Sequence, residues 1–559
     1  MNTKIFGSLF IAATAMSLVS CSDFLDTTPT DSASDKVIWS KYEYAQLQAN
    51  YMYEDLNLIN GYGDGTGCTR DCSIGLSEAL TDLFKYGGYN YTSLNRIPSE
   101  CAYGGASTLT NGYVDTYLGA WSTMYRYIST ANQAISNLKK YGTFDEDKKL
   151  EVEAEFRFFR AYYYSILAKR YPKLIIYDDN MDNYSKDKEA GTAAEAYQLI
   201  YDDLTFAGEH LPVSTVPNGR LTSGAAYAFL SRIMLYAERW QDAADAAEKV
   251  MGMGYSMNYT DLETPFTMGG EGAIFQFCFD LTAQTHQFDC YYSPGGDKAK
   301  YANPVSGGYG CPTQEMVESF EYADGSGKPD WSEWHNVDGT QATPPYDELE
   351  PRFAHTILYN GADWKDRQIE SFVGGADGWL QWMKGDMCDG KTTTGYYLRK
   401  RVDEGNRFTN GTRCTKPATL IRYAEVILNY AEALYNLNRA SEAMEQVNAI
   451  RTRPAVGLNS INATGSAVMD AIRQERKVEL AYEGLWYWDM RRWKLAHTAF
   501  TGIRVHGLKI EKEANGSFTY YYVECDDQDR NFPQKMYTCP IPTSELENNK
   551  SITQISDWN

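Results

Sequence analysis

Cys21 is the residue whose surroundings indicate a specific covalent chemistry. It follows Lys4 and an apolar run from Ile5 to Val19 that only small or hydroxyl residues interrupt. A charged start followed by a short apolar run is typical of a secretory signal peptide, and this run is too short to span a membrane. A cysteine at the cleavage point is where the lipoprotein pathway attaches acyl chains, which anchor a protein stably in a bilayer. We therefore predict a signal peptide over residues 1–20 and lipidation of Cys21; the alternative is an ordinary secreted protein in which this cysteine is incidental.

Three glutamates at helical spacing are the best candidates for acid–base chemistry. Glu475, Glu479 and Glu483 share one helical face, and a glycoside hydrolase needs two carboxylates about 5 to 10 Å apart across a cleft. These glutamates are interleaved with Arg473, Arg476 and Lys477, which is typical of an ion-paired helix. Neither a Gly-x-Ser-x-Gly elbow nor a His-Glu-x-x-His helix occurs in the chain. We therefore predict that the protein is not an enzyme, and we assign no catalytic residue.

The composition argues against other classes of function. The formal net charge of −22 leaves no basic stripe that could bind nucleic acid phosphates, and neutral ligands fit better. The acidic run at residues 178–183 lacks the glycine and the terminal glutamate of a calcium-binding EF-hand loop. The six histidines are scattered and do not stand at metal-ligand spacing. We expect neither a metal nor a cofactor.

Ten further cysteines remain after Cys21, and none stands in the Cys-x-x-Cys pattern of a zinc ribbon. Export permits disulfides, so we expect local bridges between cysteines that lie near one another in sequence. The candidates are Cys68, Cys72 and Cys101 in one group, and Cys525 and Cys539 in the other. Free buried thiols are the alternative.

Helix pairs rich in aromatic residues and alanine recur along the chain. The clearest are 224–251 and 421–451, and a looser pair joins 150–171 with 193–211 beside 113–138. Small residues at helical spacing let antiparallel helices approach closely, as in tetratricopeptide-type hairpins. We predict a mainly α fold with a helical scaffold over about residues 113–255 and 418–500.

Two stretches, about 60–112 and 260–415, have no helical period and are rich in Gly, Asn, Asp and aromatic residues. Short strands are expected at Ala273 to Phe279 and at Gly395 to Arg401. Irregular segments of this length are often functional. Because no linker-like composition follows a tether at residues 21–35, we predict a single domain over residues 36–559.

Short motifs follow one another in a fixed order along the mature chain. They are Cys21-Ser22-Asp23-Phe24-Leu25-Asp26, Arg160-Ala161-Tyr162-Tyr163-Tyr164, Pro312-Thr313-Gln314-Glu315, Pro351-Arg352-Phe353, Gly395-Tyr396-Tyr397-Leu398-Arg399-Lys400, Arg422-Tyr423-Ala424-Glu425, Asp489-Met490-Arg491-Arg492-Trp493 and Pro540-Ile541-Pro542. Each motif is weak alone. Together and in this order they resemble the SusD/RagB family of outer-membrane lipoproteins from Bacteroidetes.

The resemblance implies a function as well as a fold. It implies a surface-exposed binding protein that is anchored by lipid in the cell outer membrane and works as a lid over a TonB-dependent, SusC-like transporter. The ligand would be an oligosaccharide or polysaccharide delivered for import, without covalent chemistry. The helical scaffold would support packing on the transporter, and the irregular segments with their short strands would form the ligand face.

A glycan receptor needs flat aromatic side chains for the apolar faces of sugar rings and polar groups around them. The candidates in the irregular segments are Tyr86, Tyr89, Asn90, Tyr91, Tyr292, Trp331, Trp334, Trp379 and Trp382, with Asp297 and Arg367 as further hydrogen-bonding partners. Burial in the core is the alternative for Tyr89, Tyr91, Tyr292 and Trp331. Trp334 follows a polar stretch, and we expect it to be exposed.

A second interpretation is a peptide- or protein-binding import receptor, because tetratricopeptide grooves commonly hold extended peptides and members of this family can serve peptide import. Aromatic side chains arranged along one concave face would favour a glycan. A narrow cleft lined by charged groups would favour peptide termini.

Overall fold

Antiparallel helix hairpins form the scaffold of the computed structural model. The structure describes residues 35–60, 77–86, 102, 104, 109–185, 187–213, 219–305, 307–380 and 390–559. Cys21, the predicted signal peptide and all of the predicted tether except Asp35 lie outside the described residues. Within the described ranges, no helix combines the length and the apolar character that crossing a bilayer requires.

The helices of the described residues are joined by connections of different lengths, several of which contain short strands. In chain order they are α1 (Asp35–Trp39), α2 (Tyr42–Asn60), α3 (Asn111–Tyr117), α4 (Trp121–Tyr141), α5 (Glu146–Ala168), α6 (Ala193–His210), α7 (Ser223–Tyr236), α8 (Trp240–Met251), α9 (Phe288–Tyr292), α10 (Gly296–Tyr301), α11 (Gln314–Val317), α12 (Pro351–Thr356), α13 (Tyr423–Asn436), α14 (Ala440–Arg451), α15 (Ala467–Glu479), α16 (Trp486–Arg492), α17 (Ala496–Ala499) and α18 (Thr543–Asn548). The predicted mainly α fold is confirmed.

Two hairpins, α7 with α8 and α13 with α14, repeat the same design. In each, a first helix of 14 residues is followed by a second helix of 12 residues. The turn places Glu238 or Asn438 in the left-handed backbone region. The next residue, Arg239 or Arg439, pairs with a carboxylate three positions further on, at 2.5 and 2.6 Å respectively. This repetition is consistent with the expected tetratricopeptide-type scaffold.

Small residues let neighbouring helices of the scaffold approach closely. A Cβ atom added to Gly208 on α6 would lie only 2.4 Å from the ring of Tyr227 on α7. Aromatic rings fill the space between α5 and α7, where Phe158 and Tyr162 meet the ring of Phe229 edge-on at centroid distances of 5.3 and 5.5 Å. The spacing of alanines and aromatics along the chain therefore translates directly into helix packing.

The strands of the described residues are short and pair two by two in antiparallel fashion. The pairs are β1 (Phe84–Tyr86) with β5 (Gly310–Pro312), β2 (Lys173–Leu174) with β3 (Gly191–Thr192), β4 (Ala273–Phe277) with β10 (Ala418–Arg422), β6 (Ile357–Leu358) with β9 (Tyr397–Leu398), β7 (Asp363–Trp364) with β8 (Arg367–Gln368), and β11 (His506–Lys512) with β12 (Phe518–Glu524). Both predicted strands are confirmed, although the second is only two residues long.

The expected disulfide between Cys525 and Cys539 is wrong. Both thiols are free and buried, because the Cys525 thiol, directly after β12, contacts the Val523 carbonyl, whereas the Cys539 thiol contacts the Leu118 carbonyl near α3. Cys68, Cys72 and Cys101 lie outside the described residues. The alternative of free buried thiols therefore holds for this pair.

A buried network of charges joins the scaffold to the irregular segments. We call it the glutamate network; it comprises Glu475, Glu479, Glu483, Arg352, Arg422, Arg453 and Lys400, each at most 8% exposed at its side chain. The carboxylate of Glu479 accepts hydrogen bonds from Arg352 at 3.1 Å and from Arg422 and Arg453 at 2.7 Å each. Burial alone would raise the pKa of Glu479, but the surrounding positive charges hold it well below its ordinary value.

The partners of these glutamates differ from the ones that the sequence suggests. Arg476 points instead to Asp489, at 2.9 Å, and Arg473 pairs with Asp470 at the exposed side of α15. The cations of the network come from α12, from β10, from the turn after α14 and from the two residues after β9. An ion-paired helix was the right interpretation, but the pairing is tertiary and not local.

Glu479→Gln is expected to lower the free energy of unfolding by about 3–5 kcal/mol, because it leaves buried guanidinium groups without their counter-charge. Urea unfolding at neutral pH measures this loss. The matched control is Glu442→Gln, which removes a solvent-exposed partner of Arg439 and should leave the melting temperature unchanged. Equal stabilities of the two variants would contradict the role of the network.

Glu78 is a buried carboxyl group whose charge opposes folding. Its Oε1 accepts a hydrogen bond from the Gly484 N–H at 3.0 Å, whereas its Oε2 has no partner. Burial raises its pKa from 4.5 to about 8. The folded chain therefore binds a proton that the unfolded chain releases, and stability attributable to this group falls as the pH rises from 4.5 to about 8.

Glu78→Gln should remove this titration, so that the variant loses less stability than the parent protein between pH 5 and pH 8. Urea unfolding at both pH values gives the two differences. An identical pH dependence in parent and variant would show that Glu78 is not the group responsible.

Candidate functional site

Three glycines bring separate parts of the irregular region into contact. A Cβ atom on Gly295 would lie 2.3 Å from the carbonyl oxygen of Gly390, and one on Gly308 would lie 2.4 Å from the same atom. The Tyr397 hydroxyl donates a hydrogen bond to that oxygen at 2.7 Å. We call this place the glycine junction, defined by Gly295, Gly308 and Gly390. Its backbone approach is possible only without side chains at these positions.

Partly exposed aromatic side chains stand next to the glycine junction. Tyr291 and Tyr309 form an edge-on pair with ring centroids 4.8 Å apart, and the Tyr309 N–H donates to the Tyr291 carbonyl at 2.9 Å. Trp379 is also partly exposed, and its neighbour Leu380 donates its N–H to the Thr392 carbonyl, two residues after Gly390. We call Tyr291, Tyr309 and Trp379 the aromatic face.

A set of buried charges fixes the backbone beneath the glycine junction. Arg367 contacts both oxygens of Asp377 at 2.6 and 2.8 Å and reaches Asp297 at 2.9 Å. Asp377 also accepts the N–H of Gly296 at 2.8 Å, and Asp297 pairs with Lys365 at 2.9 Å. The predicted role of Asp297 and Arg367 in ligand binding is therefore not supported, because Asp297 is fully buried and both groups are engaged in holding the fold.

Some of the aromatic residues predicted from the sequence to bind the ligand are less exposed than a stacking surface requires. Tyr292 is 7% exposed and Trp331 is 5% exposed, so neither ring is available to stack on a ligand. Trp334 is partly buried against Trp331, and its Nε1–H donates to the Ala342 carbonyl at 3.0 Å. It is less exposed than the polar sequence around it suggests.

The other predicted residues border the same junction or cannot be placed. Tyr86 lies at the end of β1, where its backbone pairs with Gly310 beside Tyr309. Tyr89, Asn90, Tyr91 and Trp382 lie outside the described residues. Of the predicted set, Trp379 and the backbone of Tyr86 are therefore what the structure brings near the glycine junction.

Sequence reasoning missed two members of the aromatic face. Tyr309 stands in a Gly-Gly-Tyr-Gly run that could have been noticed as a place of close backbone approach. Tyr291 was passed over for its neighbour because α9 is only five residues long and gives no periodicity from which to read its buried side. Tyr292 turns inward against Phe288, with ring centroids 4.5 Å apart.

A second concave feature lies elsewhere in the irregular region. It is a cleft of about 710 Å³ between the segment before β4, helix α12 and the loops at 399–405 and 415–417. We call it the charged cleft and define it by Glu263, His355, Arg399, Glu404 and Lys416. Its one aromatic lining residue, Phe266, is almost fully buried.

Ion pairs order the floor and the rim of the charged cleft. Glu263 pairs with Lys416 and stands 3.2 Å from His355 Nε2, and Arg399 pairs with Glu404 at 2.8 Å. Burial alone would raise the pKa of Glu263, but the hydrogen bond from His355 and the charge of Lys416 hold it below its ordinary value. Burial lowers the pKa of His355. A cleft with charged groups of both signs suits a ligand that carries a positive and a negative group.

One further pattern in this region has no corresponding structure. The letters of residues 385–392 match the phosphate-binding pattern Gly-x-x-x-x-Gly-Lys-Thr, which requires a helix directly after the loop. The segment from Gly390 onward continues as turns into β9, and residues 385–389 lie outside the described residues. The match therefore does not indicate a nucleotide site.

Within the described ranges, His, Cys, Asp and Glu side chains form no group of three that could hold a metal ion.

Comparison with known proteins gives consistent matches over the chain. A family model described as "SusD family" matches residues 271–558, and one described as "Starch-binding associating with outer membrane" matches residues 90–235. The SusD-like protein P2 of Formosa agariphila is 27% identical over 409 residues, which cover 70% of this chain and 74% of that protein.

Two solved structures from Bacteroides fragilis share the fold. A SusD-like protein is 24% identical with a TM-score of 0.76, covering 93% of this chain and 98% of that one. A SusD-like carbohydrate-binding protein is 22% identical with a TM-score of 0.73, covering 92% and 100%. The resemblance seen in the sequence motifs is confirmed, and because the first family model spans more than half of the chain, the protein belongs to the SusD family.

Proposed function

We propose that this protein is a lipid-anchored receptor at the outer-membrane surface that captures oligosaccharides or polysaccharides and passes them to a TonB-dependent, SusC-like transporter. Membership of the SusD family supports a binding role in nutrient uptake, and one solved relative is named as carbohydrate-binding. The proposal includes no covalent chemistry on the ligand. Anchoring through Cys21 follows from the signal segment that precedes it.

The observation that carries the proposal is the aromatic face beside the glycine junction. Sugar rings present apolar C–H faces that stack on flat side chains, and Tyr291 and Tyr309 offer two such surfaces at right angles, with an interplanar angle of 81°. The N–H of Tyr309 donates to the Tyr291 carbonyl at 2.9 Å, and the buried Asp297, Arg367 and Asp377 fix the neighbouring backbone at Gly296. Rings that are already fixed lose little conformational entropy when a ligand binds.

The net charge of the chain fits this ligand class. At −22 the protein repels polyanions at long range, which favours neutral glycans over sulfated or uronate-rich ones. A panel of neutral plant, microbial and host polysaccharides is therefore the first screen, with affinity electrophoresis of the protein cut after Cys21. A saturable shift without release of products would identify a receptor and the class of its ligand.

Tyr291→Ala combined with Trp379→Ala should weaken binding of a polysaccharide identified in this screen by about tenfold or more, because two stacking surfaces are lost. Calorimetry measures the affinity, and thermal unfolding checks that the fold persists. The control is Tyr51→Ala on α2, which removes a tyrosine that is 67% exposed and lies outside the site. If the double variant binds as well as the control, the glycan site lies elsewhere on the protein.

The charged cleft favours a second candidate function, a receptor for import of short peptides. A peptide carries an ammonium and a carboxylate group at its ends, and these would exchange with the existing Glu263–Lys416 and Arg399–Glu404 pairs that line the cleft. The cleft is also large enough for a small ligand, since such pockets commonly span about 300–1,000 Å³. This arrangement is the one expected for peptide termini and not for flat sugar faces.

Lys416→Gln should weaken the binding of unblocked tetra-alanine if the charged cleft is a peptide site, because it removes the ammonium group that would bind the terminal carboxylate of the peptide. It should leave retention in polysaccharide gels unchanged. Calorimetry with tetra-alanine and with its acetylated, amidated counterpart measures the contribution of the termini, and Arg504→Gln at an exposed ion pair is the matched control. Absence of tetra-alanine binding to the parent protein would reject this second candidate.

A further inference from the structure

A groove on the helical scaffold has the opposite charge from the protein as a whole. It has a volume of about 270 Å³ and lies where the end of α5, the turn between α7 and α8, and the end of α16 meet. We call it the basic groove, because its lining includes the cationic residues Lys169, Arg170, Arg491, Arg492 and Lys494. Among its lining residues, Glu238 is the one that is acidic. In a chain with a net charge of −22, this concentration of positive charge is a local exception.

Arg491 is the cation in the basic groove whose hydrogen bonding is incomplete. Its side chain belongs to a residue that is only 5% exposed, its Nη2 donates to the Tyr537 carbonyl at 2.8 Å, and its Nε has no partner. In the part of the chain that the structure describes, Arg491 makes no ion pair. A buried guanidinium group in this state is stabilised by an incoming acceptor, and a carboxylate is the acceptor that matches it best.

Arg492, in the same groove, has a guanidinium group whose charge is paired within the protein. It pairs with Glu432 and, at 2.8 Å, with Asp489. Its charge is therefore neutralised inside the protein, and it needs no external partner. Of these two adjacent arginines, Arg491 is therefore the one to which an external anion would bind.

Lys494 is the second cation that lacks a carboxylate contact among the described residues. It is exposed and has a left-handed backbone with φ of 58°, which directs it over the ring of Tyr537 at 4.5 Å. Although the residue as a whole is exposed, partial desolvation of its ammonium group lowers the pKa of Lys494; the positive charge of Arg491 lowers it further, and the negative charge of Glu238 only partly opposes the shift. An anion placed between Lys494 and Arg491 would relieve this repulsion.

Aromatic rings form the walls of the basic groove. Trp488 lies beneath the cations, with Arg170 and Arg491 at 4.4 and 4.6 Å from its ring centroid, while Trp240 and Trp493 are partly exposed along the groove. Tryptophan, tyrosine and arginine are the residue types that dominate binding energy at protein interfaces. The groove volume of about 270 Å³ lies just below the roughly 300 Å³ from which pockets for whole small ligands begin, so an inserted side chain suits it better than a whole ligand.

We propose that the basic groove is an anchor site for an acidic side chain of another protein, an aspartate or glutamate flanked by an apolar residue. The carboxylate would bind between Arg491 and Lys494, and the apolar neighbour would pack on Trp493 or Trp240. The groove is built from scaffold helices and not from the irregular region that contains the aromatic face. The inference therefore does not depend on which nutrient the protein binds.

The test uses two fluorescein-labelled pentapeptides, one with a central glutamate between two leucines and one with glutamine in its place. Fluorescence anisotropy at low ionic strength should show that the glutamate peptide binds about tenfold more tightly, as expected for one charge-assisted contact. Added salt should reduce this difference, because it screens the charges.

Lys494→Glu should abolish the preference for glutamate. The matched control is Lys512→Glu, which makes the same charge change at an exposed lysine that lies over Phe372 at 5.1 Å in β11. Circular dichroism and retention in polysaccharide gels verify that both variants are folded and functional.

Three results would overturn the proposal. They are equal affinities for the two peptides, an unchanged preference in Lys494→Glu, and tighter binding of oligogalacturonate than of the glutamate peptide at a site that Lys494→Glu removes. The last result would assign the groove to an acidic sugar instead of a protein side chain.

Discussion

The placement of one buried carboxylate, that of Glu479, determines how the two parts of this protein fit together. Glu479 ends helix α15 of the scaffold, while its guanidinium partners come from α12, from β10 and from the turn after α14. A buried charge of this kind is tolerated only if its partners surround it, so the partner segments must arrive together. Helix packing alone would not fix the position of residues 252–417 relative to the scaffold helices.

The same charges form the wall behind the charged cleft. Phe266 lies between the two, with Lys400 and Arg422 at 5.5 and 5.6 Å from its ring centroid on the side of the network, and it lines the cleft on the other side. A ligand in the cleft would therefore meet a surface that is fixed by interactions deep in the protein. The aromatic face has an equivalent support in Asp297, Arg367 and Asp377.

The parts of the fold that depend on local sequence could be predicted. The hairpins α7–α8 and α13–α14 follow from alanines and aromatics at helical spacing, and β4 follows from its tight cluster of apolar and aromatic residues. The partners of Glu479 could not be predicted, because they stand between 26 and 127 positions away in the chain. Within the candidate site, the presence of aromatic residues in Gly-rich segments was visible, but which rings are exposed was not. The neighbours Tyr291 and Tyr292 differ in exposure because of a single short helix, and Trp334 is partly covered by Trp331, which lies three residues before it.

The glycine junction separates two kinds of evolutionary change. A side chain at Gly295 or Gly308 would collide with the backbone at Gly390, so a substitution there requires the backbone to move, and these positions are expected to drift slowly. Tyr291, Tyr309 and Trp379 stand at the partly exposed edge of the same place, where replacing one side chain leaves the backbone undisturbed. On the proposal that the aromatic face binds the nutrient, a lineage carrying this protein could change its ligand by exchanging exposed rings one at a time while the backbone framework that displays them is inherited unaltered.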